Sequence, residues 1–583
     1  MSSDTNVSKG IKLYRLLRVS LFVILVSLIS LGCAGKKPGA PSETPPEVPP
    51  TPPIYQDISD FEKPPCSTGD IKIKQGSLCG ALTDASDGKA VNAYLGIPFA
   101  ESAGGQNRWK PPVPKTAWQG TFRATRLGPA CPQNTDNMYP QGEDCLSVNV
   151  WTPEGSRPEP RAVMVFIYGG AFIYGNNADP LYDGAYTAAY GDVVVVSMNY
   201  RLGALGFLSG VMDKKTGEEI NGNFGILDQI LALDWVRDNI GAFGGDPEKV
   251  TIYGESAGAM SVRLHLLSSP GSESLFRAAI MESNPLGLPY KNLKQSHAIA
   301  KEFASNLGCP VDDVGCMRAA LPEVVLDAQQ QKDFIWPVLF HGVGDMLVWA
   351  PVIDGQVLTR QPVEAAADGK LTKPVIISTN TNEALLFVER AKSGLGWKTV
   401  SPFDYRLTMD FIFRDHELRE KIYGKYPPVS GDITALISKV LTEYLFTCPS
   451  LDAASHASQE TWSYLFDHVP SFNVWPMVPA CADAVCHAAE LSFVFHTPEG
   501  RKGKFTPREN GLSNLMIGYW TGFAKSLHPA GGTYPWPEFG PGSLNIVFVT
   551  PVDYITAKPD TAPDCGFWDG IGYNLGNSFW GMF

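Results

Sequence analysis

The chain has 583 residues, 44% apolar and 18% charged, a globular balance in a length that can bury a large core. Its formal net charge is −13, and it carries no Lys/Arg-rich segment and no nucleotide-binding glycine loop. That combination excludes a nucleic-acid or other polyanion binder.

In chain order, Lys9, Lys12, Arg15 and Arg18 precede an apolar run from Val19 to Leu31. At about 13 residues the run is short for a membrane span and suits a signal-peptide core. It ends at Leu31-Gly32-Cys33, which resembles a bacterial lipobox, with Ser30 standing where Leu, Val or Ile is usual. Residues 1–33 therefore read as a signal peptide with Cys33 as the lipidation site; an ordinary signal peptide or an uncleaved anchor is the alternative. Ala34 rather than Asp after the cysteine fits outer-membrane sorting. The expected location is a bacterial cell envelope, as an outer-membrane lipoprotein or otherwise periplasmic or secreted, with membrane contact only through the lipid. Residues 34–65, Pro-rich from Gly35 to Pro53, read as an extended tether, and residues 66–583 as one domain. Ten cysteines besides Cys33, in an exported chain, make disulfides the default. Cys131 with Cys145 and Cys309 with Cys316 suggest themselves, because each pair would close a short polar loop.

From about Ile71 onward, strand-like runs alternate with helical patterns. Ala162–Ile167 and Val193–Met198 are continuous apolar runs of strand length, as in the interior of a parallel sheet. Ile226–Ile240 reads as a helix, Val250–Tyr253 as a strand, Ala257–Leu267 as a helix, Pro374–Ser378 and Trp462–Phe466 as strands, and Leu512–Leu527 as a late helix. The economical architecture is one α/β domain, a mostly parallel sheet flanked by helices, with long insertions.

Between the Val250 strand and the Ala257 helix lies Gly254-Glu255-Ser256-Ala257-Gly258. A serine on so sharp a turn needs small residues two before and two after it, where the backbone doubles back, and the helix then aims free N–H groups at the reacting oxygen. Ser256 is the candidate nucleophile. Tyr168-Gly169-Gly170-Ala171-Phe172 follows the strand ending at Ile167, so Gly170 and Ala171, with Ala257, are the candidate oxyanion-hole donors. The order serine, acid, histidine then points to Glu383, just past the strand at Pro374–Ser378. Of the histidines beyond it, His468 and His496 look structural, His528 follows the late helix, and His487 heads a loop entering a helix. His487 is preferred as the base.

These motifs resemble the type-B carboxylesterases, the branch of α/β-hydrolases that includes cholinesterases and bacterial p-nitrobenzyl esterases. The resemblance runs from about Ile71 to the C-terminus, through Tyr94–Ala100, Arg108–Pro112, Glu143–Trp151, Asn199–Gly203, Asn221–Gln229, Phe243–Pro247 and Tyr253–Gly258. It implies an α/β-hydrolase fold, Ser256, Glu383 and His487 as the triad, and Gly170, Ala171 and Ala257 as the oxyanion hole. Cys131–Cys145 and Cys309–Cys316 correspond to family bridges, and Cys448 and Cys565 sit where a third occurs. Cys66–Cys79 and Cys481–Cys486 then remain, the latter beside His487. Arg108 with Glu143, and Arg201 with Asp228, look like the family's structural ion pairs. The Cys131–Cys145 loop holds no Trp where cholinesterases place a choline-stacking one, so a quaternary ammonium substrate would lack its cation–π partner.

The implied activity is hydrolysis of small carboxylic esters through an acyl-enzyme on Ser256, without metal or organic cofactor. Its rivals are a catalytically inactive, neuroligin-like binding protein and a lipase or thioesterase of the same fold. Glu255, beside the nucleophile, is expected to serve the local hydrogen-bond network.

Overall fold

The computed structural model describes residues 63–573, apart from 86, 136–138, 156, 268–270, 331–346, 370, 395, 414, 532–534, 541–545, 549–555 and 558–564. Cys33, the targeting segment and most of the tether lie outside the described residues.

Among the described residues the central sheet has eleven strands: β1 (Ala81–Asp84), β2 (Ala90–Pro98), β3 (Ser147–Pro153), β4 (Arg161–Ile167), β5 (Val194–Met198), β6 (Gly245–Glu255), β7 (Ala278–Glu282), β8 (Val375–Asn380), β9 (Thr461–Phe466), β10 (Ile546–Phe548) and β11 (Thr556–Ala557). Their spatial order is β1-β2-β3-β5-β4-β6-β7-β8-β9-β10-β11. Pairing is parallel from β5 through β10 and antiparallel at both edges. Every residue of β4 and β5 is buried, which is why those runs are apolar without alternation.

The helices that bear on the site are α1 (Phe224–Asn239), α2 (Ala257–Leu267), α3 (Leu385–Gly394), α4 (Pro402–Ile412), α5 (Thr434–Thr442), α6 (Cys448–Ser455), α7 (Leu491–Phe495), α8 (Pro507–Ser526) and α9 (Cys565–Ile571), with others between. Helix α8 starts five residues before the apolar pattern does. Thr506 caps Glu509 N–H, Glu509 caps back to Thr506 N–H, and Pro507 occupies the first turn. This reciprocal cap sets the start, and hydrophobic periodicity does not register it.

Four hydrophobic cores form among the described residues. The largest encloses the sheet. The second lies in the insertion after β8, where Tyr405, Met409, Phe413, Val440 and Tyr444 of α3–α5 and their connections pack around Trp568 of α9. The Cys448–Cys565 disulfide ties α6 to α9 across 117 residues. The other bridges are Cys66–Cys79, Cys131–Cys145, Cys309–Cys316 and Cys481–Cys486. Arg201 holds Asp228 of α1 through two guanidinium bonds of 2.8 and 2.6 Å, and Arg108 holds Glu143 at 2.7 and 2.6 Å. Both guanidinium groups also donate to backbone carbonyls, which is the work of struts, not of catalysts.

Candidate active site

The carboxyl ends of four adjacent strands, β4, β6, β7 and β8, open on one rim of the sheet. In open α/β sheets that rim is where ligands bind. Ser256 leaves the end of β6 with φ at 56°, in the left-handed region. Its N–H donates to Glu282 O at the end of β7, 3.0 Å away. Helix α2 starts at the next residue, so its first N–H groups have no partner within the helix. The doubling back is tight: a Cβ on Gly258 would stand 1.9 Å from Ile167 O. No side chain fits there, which ties the elbow to the end of β4.

The turn after β4 is also left-handed in its backbone. Gly170, Ala171 and Phe172 have φ of 107°, 55° and 61°. Ile173 and Tyr174 N–H fold back onto Gly170 O, leaving the Gly170 and Ala171 amides outside the turn's own bonding. The preceding Gly169 abuts the nucleophile, since a Cβ there would lie 3.0 Å from Ser256 Cβ. The turn after β4 therefore lies against the residue from which α2 starts.

Past β8, Glu383 is wholly buried. Its Oε1 accepts Asn380 N–H at 2.7 Å, and its Oε2 lies 2.6 Å from His487 Nδ1. With a carboxylate on Nδ1, that nitrogen carries the proton and Nε2 is the working atom. The segment bearing His487 is anchored to the segment bearing Glu383. Asn382 N–H donates to Val485 O at 3.0 Å, and Asn380 Nδ2 donates to Cys486 O at 3.2 Å. The Cys481–Cys486 bridge closes the loop, and Trp475 Nε1 donates to His487 O at 2.7 Å. Phe387 and Phe446 pack their rings 5.0 and 5.3 Å from the imidazole.

On the other edge of the ring, Glu255 Oε1 stands 3.0 Å from His487 Nε2, and neither atom has a hydrogen bond among the described residues. The imidazole is therefore flanked by two carboxylates. Burial alone would lower its pKa, but Glu255 and then Glu383 outweigh it and hold His487 well above the ordinary histidine range. Ser256 Oγ makes no hydrogen bond among the described residues, so Glu383 and His487 meet directly while the serine lies unbonded next to Glu255.

Sequence reading placed Glu255 in a hydrogen-bond network but missed that it faces the base. It also missed two further acids. Glu282 is the register partner of Glu255 across β6 and β7. It is wholly buried, accepts Trp520 Nε1 at 2.6 Å, and is pushed well above the carboxylate range by burial, then by Glu490 and Glu255. Glu490, three residues after His487, accepts Asn380 Nδ2 at 2.5 Å, and burial followed by Glu255 and Glu383 raises it to about 8. The spacing of Glu490 from His487 was available in the sequence; the Glu282 pairing needed strand register.

Four other histidines beyond Glu383 are held elsewhere. His468 Nε2 faces Glu509 at 3.2 Å, His496 Nδ1 contacts Ser513 Oγ at 2.7 Å, and His456 binds its own helix at Asp452 O. His528 joins Glu460 and Glu538 in an exposed group whose ligand atoms lie within 4.8 Å of one another, sharing no residue with the Ser256 rim.

Residues 67–568 match the model of the carboxylesterase family. The chain is 35% identical over 477 residues to the cAMP-regulated D2 protein of Dictyostelium discoideum, covering 78% of this chain and 84% of that protein. It is 33% identical over 524 residues to the acetylcholinesterase of Electrophorus electricus, covering 79% and 80%. Among solved structures, a PNB esterase at 32% identity superposes with a TM-score of 0.69, covering 83% of this chain and 96% of that one. A thermophilic PNB esterase at 31% identity gives 0.71 over the same shares.

Proposed function

From the premise that this chain belongs to the carboxylesterase family and is a carboxylic ester hydrolase, we propose that it works through an acyl-enzyme on Ser256, with His487 as base and Glu383 as its orienting acid. The observation that carries this reading is the buried 2.6 Å contact between Glu383 and His487, on the rim where the Ser256 elbow emerges. His487 Nε2 takes the hydroxyl proton as Ser256 Oγ attacks the ester carbonyl, and Glu383 stabilises the imidazolium that forms. The N–H groups of Gly170, Ala171 and Ala257 receive the oxyanion; one such donor is worth roughly 10²–10³ in kcat. His487 then protonates the leaving alcohol, and water, activated by the same imidazole, releases the acid. None of these steps calls for a cofactor.

A neutral alcohol portion fits better than a quaternary ammonium one, because the Cys131–Cys145 loop has no Trp to stack on a cation. A lipid on Cys33 would tether the enzyme to the envelope, a reading supported by the basic, apolar and cysteine succession of residues 9–33. Hydrolysis of a short p-nitrophenyl ester by the folded protein, abolished in Ser256→Ala at unchanged thermal stability, is the expected result. A folded protein that turns over no ester would instead favour a binding role.

A further inference from the structure

Two turns beyond the nucleophile, α2 carries Arg263, about 10 Å along the helix from Ser256. It is 4% exposed, yet it makes no hydrogen bond and no ion pair among the described residues. Five N–H donors held in that state are costly, and buried guanidinium groups are otherwise paired. Arg263 lines a recess with Met260, Asn284, Leu286, Tyr290 and Gln361 that accommodates a single water-sized occupant.

The other polar groups around the recess are committed, with two exceptions. Gln361 spends both ends of its amide on the Tyr290 backbone, at 3.0 and 2.7 Å. Tyr573, also on the wall, gives its hydroxyl to Asp569. Left over are the Tyr290 hydroxyl, a donor with no partner among the described residues, and Asn284 Oδ1, a buried acceptor with none. Asn284 Nδ2 is fixed on Ala259 O at 3.0 Å, so the amide does not turn round to offer a donor. An anion is repelled from the Asn284 end and attracted to the Arg263–Tyr290 end. The charged groups that act on Arg263 are Asp452, at more than ion-pair distance, and the Tyr290 phenol. Burial lowers the guanidinium to about 10, which leaves it cationic at neutral pH.

We infer that this recess binds one small inorganic anion of about chloride size, between the Arg263 guanidinium and the Tyr290 hydroxyl. A monatomic anion suits this single water-sized space better than a carboxylate-bearing metabolite or a phosphoester does. Because the ion sits on the helix that starts at Ser256, it stabilises the scaffold of the rim without touching substrate.

The test is thermal unfolding of the whole protein in chloride against gluconate at constant ionic strength. Raising chloride from about 1 to about 100 mM is expected to lift the midpoint by roughly 1–3 °C. Arg263→Met, which keeps an apolar stem of similar reach, is expected to lose that dependence while retaining ester hydrolysis. Identical midpoints in chloride and gluconate, or an Arg263→Met protein that still follows chloride as the parent does, would overturn the assignment. Should that variant not fold, bromide-soaked crystals of the parent decide: an anomalous peak at the guanidinium supports the site, and a bromide-free recess refutes it.

Discussion

Two regions meet at His487, and they are built on different terms. On one side is the rim of β4, β6, β7 and β8, where backbone touches backbone: Gly258 against Ile167 O, Gly169 against Glu255 O, Asn382 against Val485. On the other is the helical insertion with its own core, which packs the rings of Phe387 and Phe446 against the imidazole. At Gly258 and Gly169 the rim leaves no room for a side chain, so its backbone approach is fixed there. The insertion is held by side-chain packing and the Cys448–Cys565 bridge, and can be recarved one ring at a time. Under the proposed mechanism the chemistry falls to the first region, and the rings of the second are the proposed determinants of substrate fit.

The largest break in that comparison comes from the rim. His487→Ala is expected to lower kcat about 10⁴–10⁶-fold with a short ester, while thermal unfolding moves little, as single-turnover and melting measurements would report. Comparable residual activity in the variant would remove His487 from the chemistry.

Glu255→Gln sharpens the comparison within the rim. With one flanking carboxylate gone, the neutral base persists to lower pH. The acid limb of kcat/KM is expected to shift down by about one unit or more, read from a pH–rate profile. Stability should respond in the matching sense. His487 has a folded pKa above its unfolded one, so its contribution is complete below the unfolded value and lost as pH rises through the folded value. Glu255→Gln should shrink that loss. An unmoved acid limb would mean that Glu255 does not set the proton on the base.

The smallest effect belongs to the insertion. Phe387→Ala, at a half-buried ring, is expected to change kcat/KM for acetyl esters by no more than about tenfold and to move the preferred acyl length upward. A chain-length series measures it; a collapse of activity at every length would place Phe387 with the rim instead.

The same division explains what could be seen in the sequence. The elbow was legible because its constraint is local: a strand, glycines two before and two after a serine, then a helix, and α2 spans Ala257–Leu267 as read. The buried strands were legible for the same reason, with ends shifted by a residue or so, except β6, which begins earlier at Gly245. The position of His487 was not local. Six histidines follow Glu383, and what sets this one apart is its pairing with a segment 104 residues away, so family resemblance had to supply the choice. Glu282 depends on strand register, and the second core on contacts between α3–α5 and α9 that no periodicity in either segment announces.

The most direct test of the acyl-enzyme is covalent. Incubation with a p-nitrophenyl phosphonate ester, followed by peptide mass mapping, should place one equivalent of label on the peptide containing Ser256, in step with loss of hydrolysis. Label on another residue, or full inactivation with Ser256 unmodified, would contradict the account.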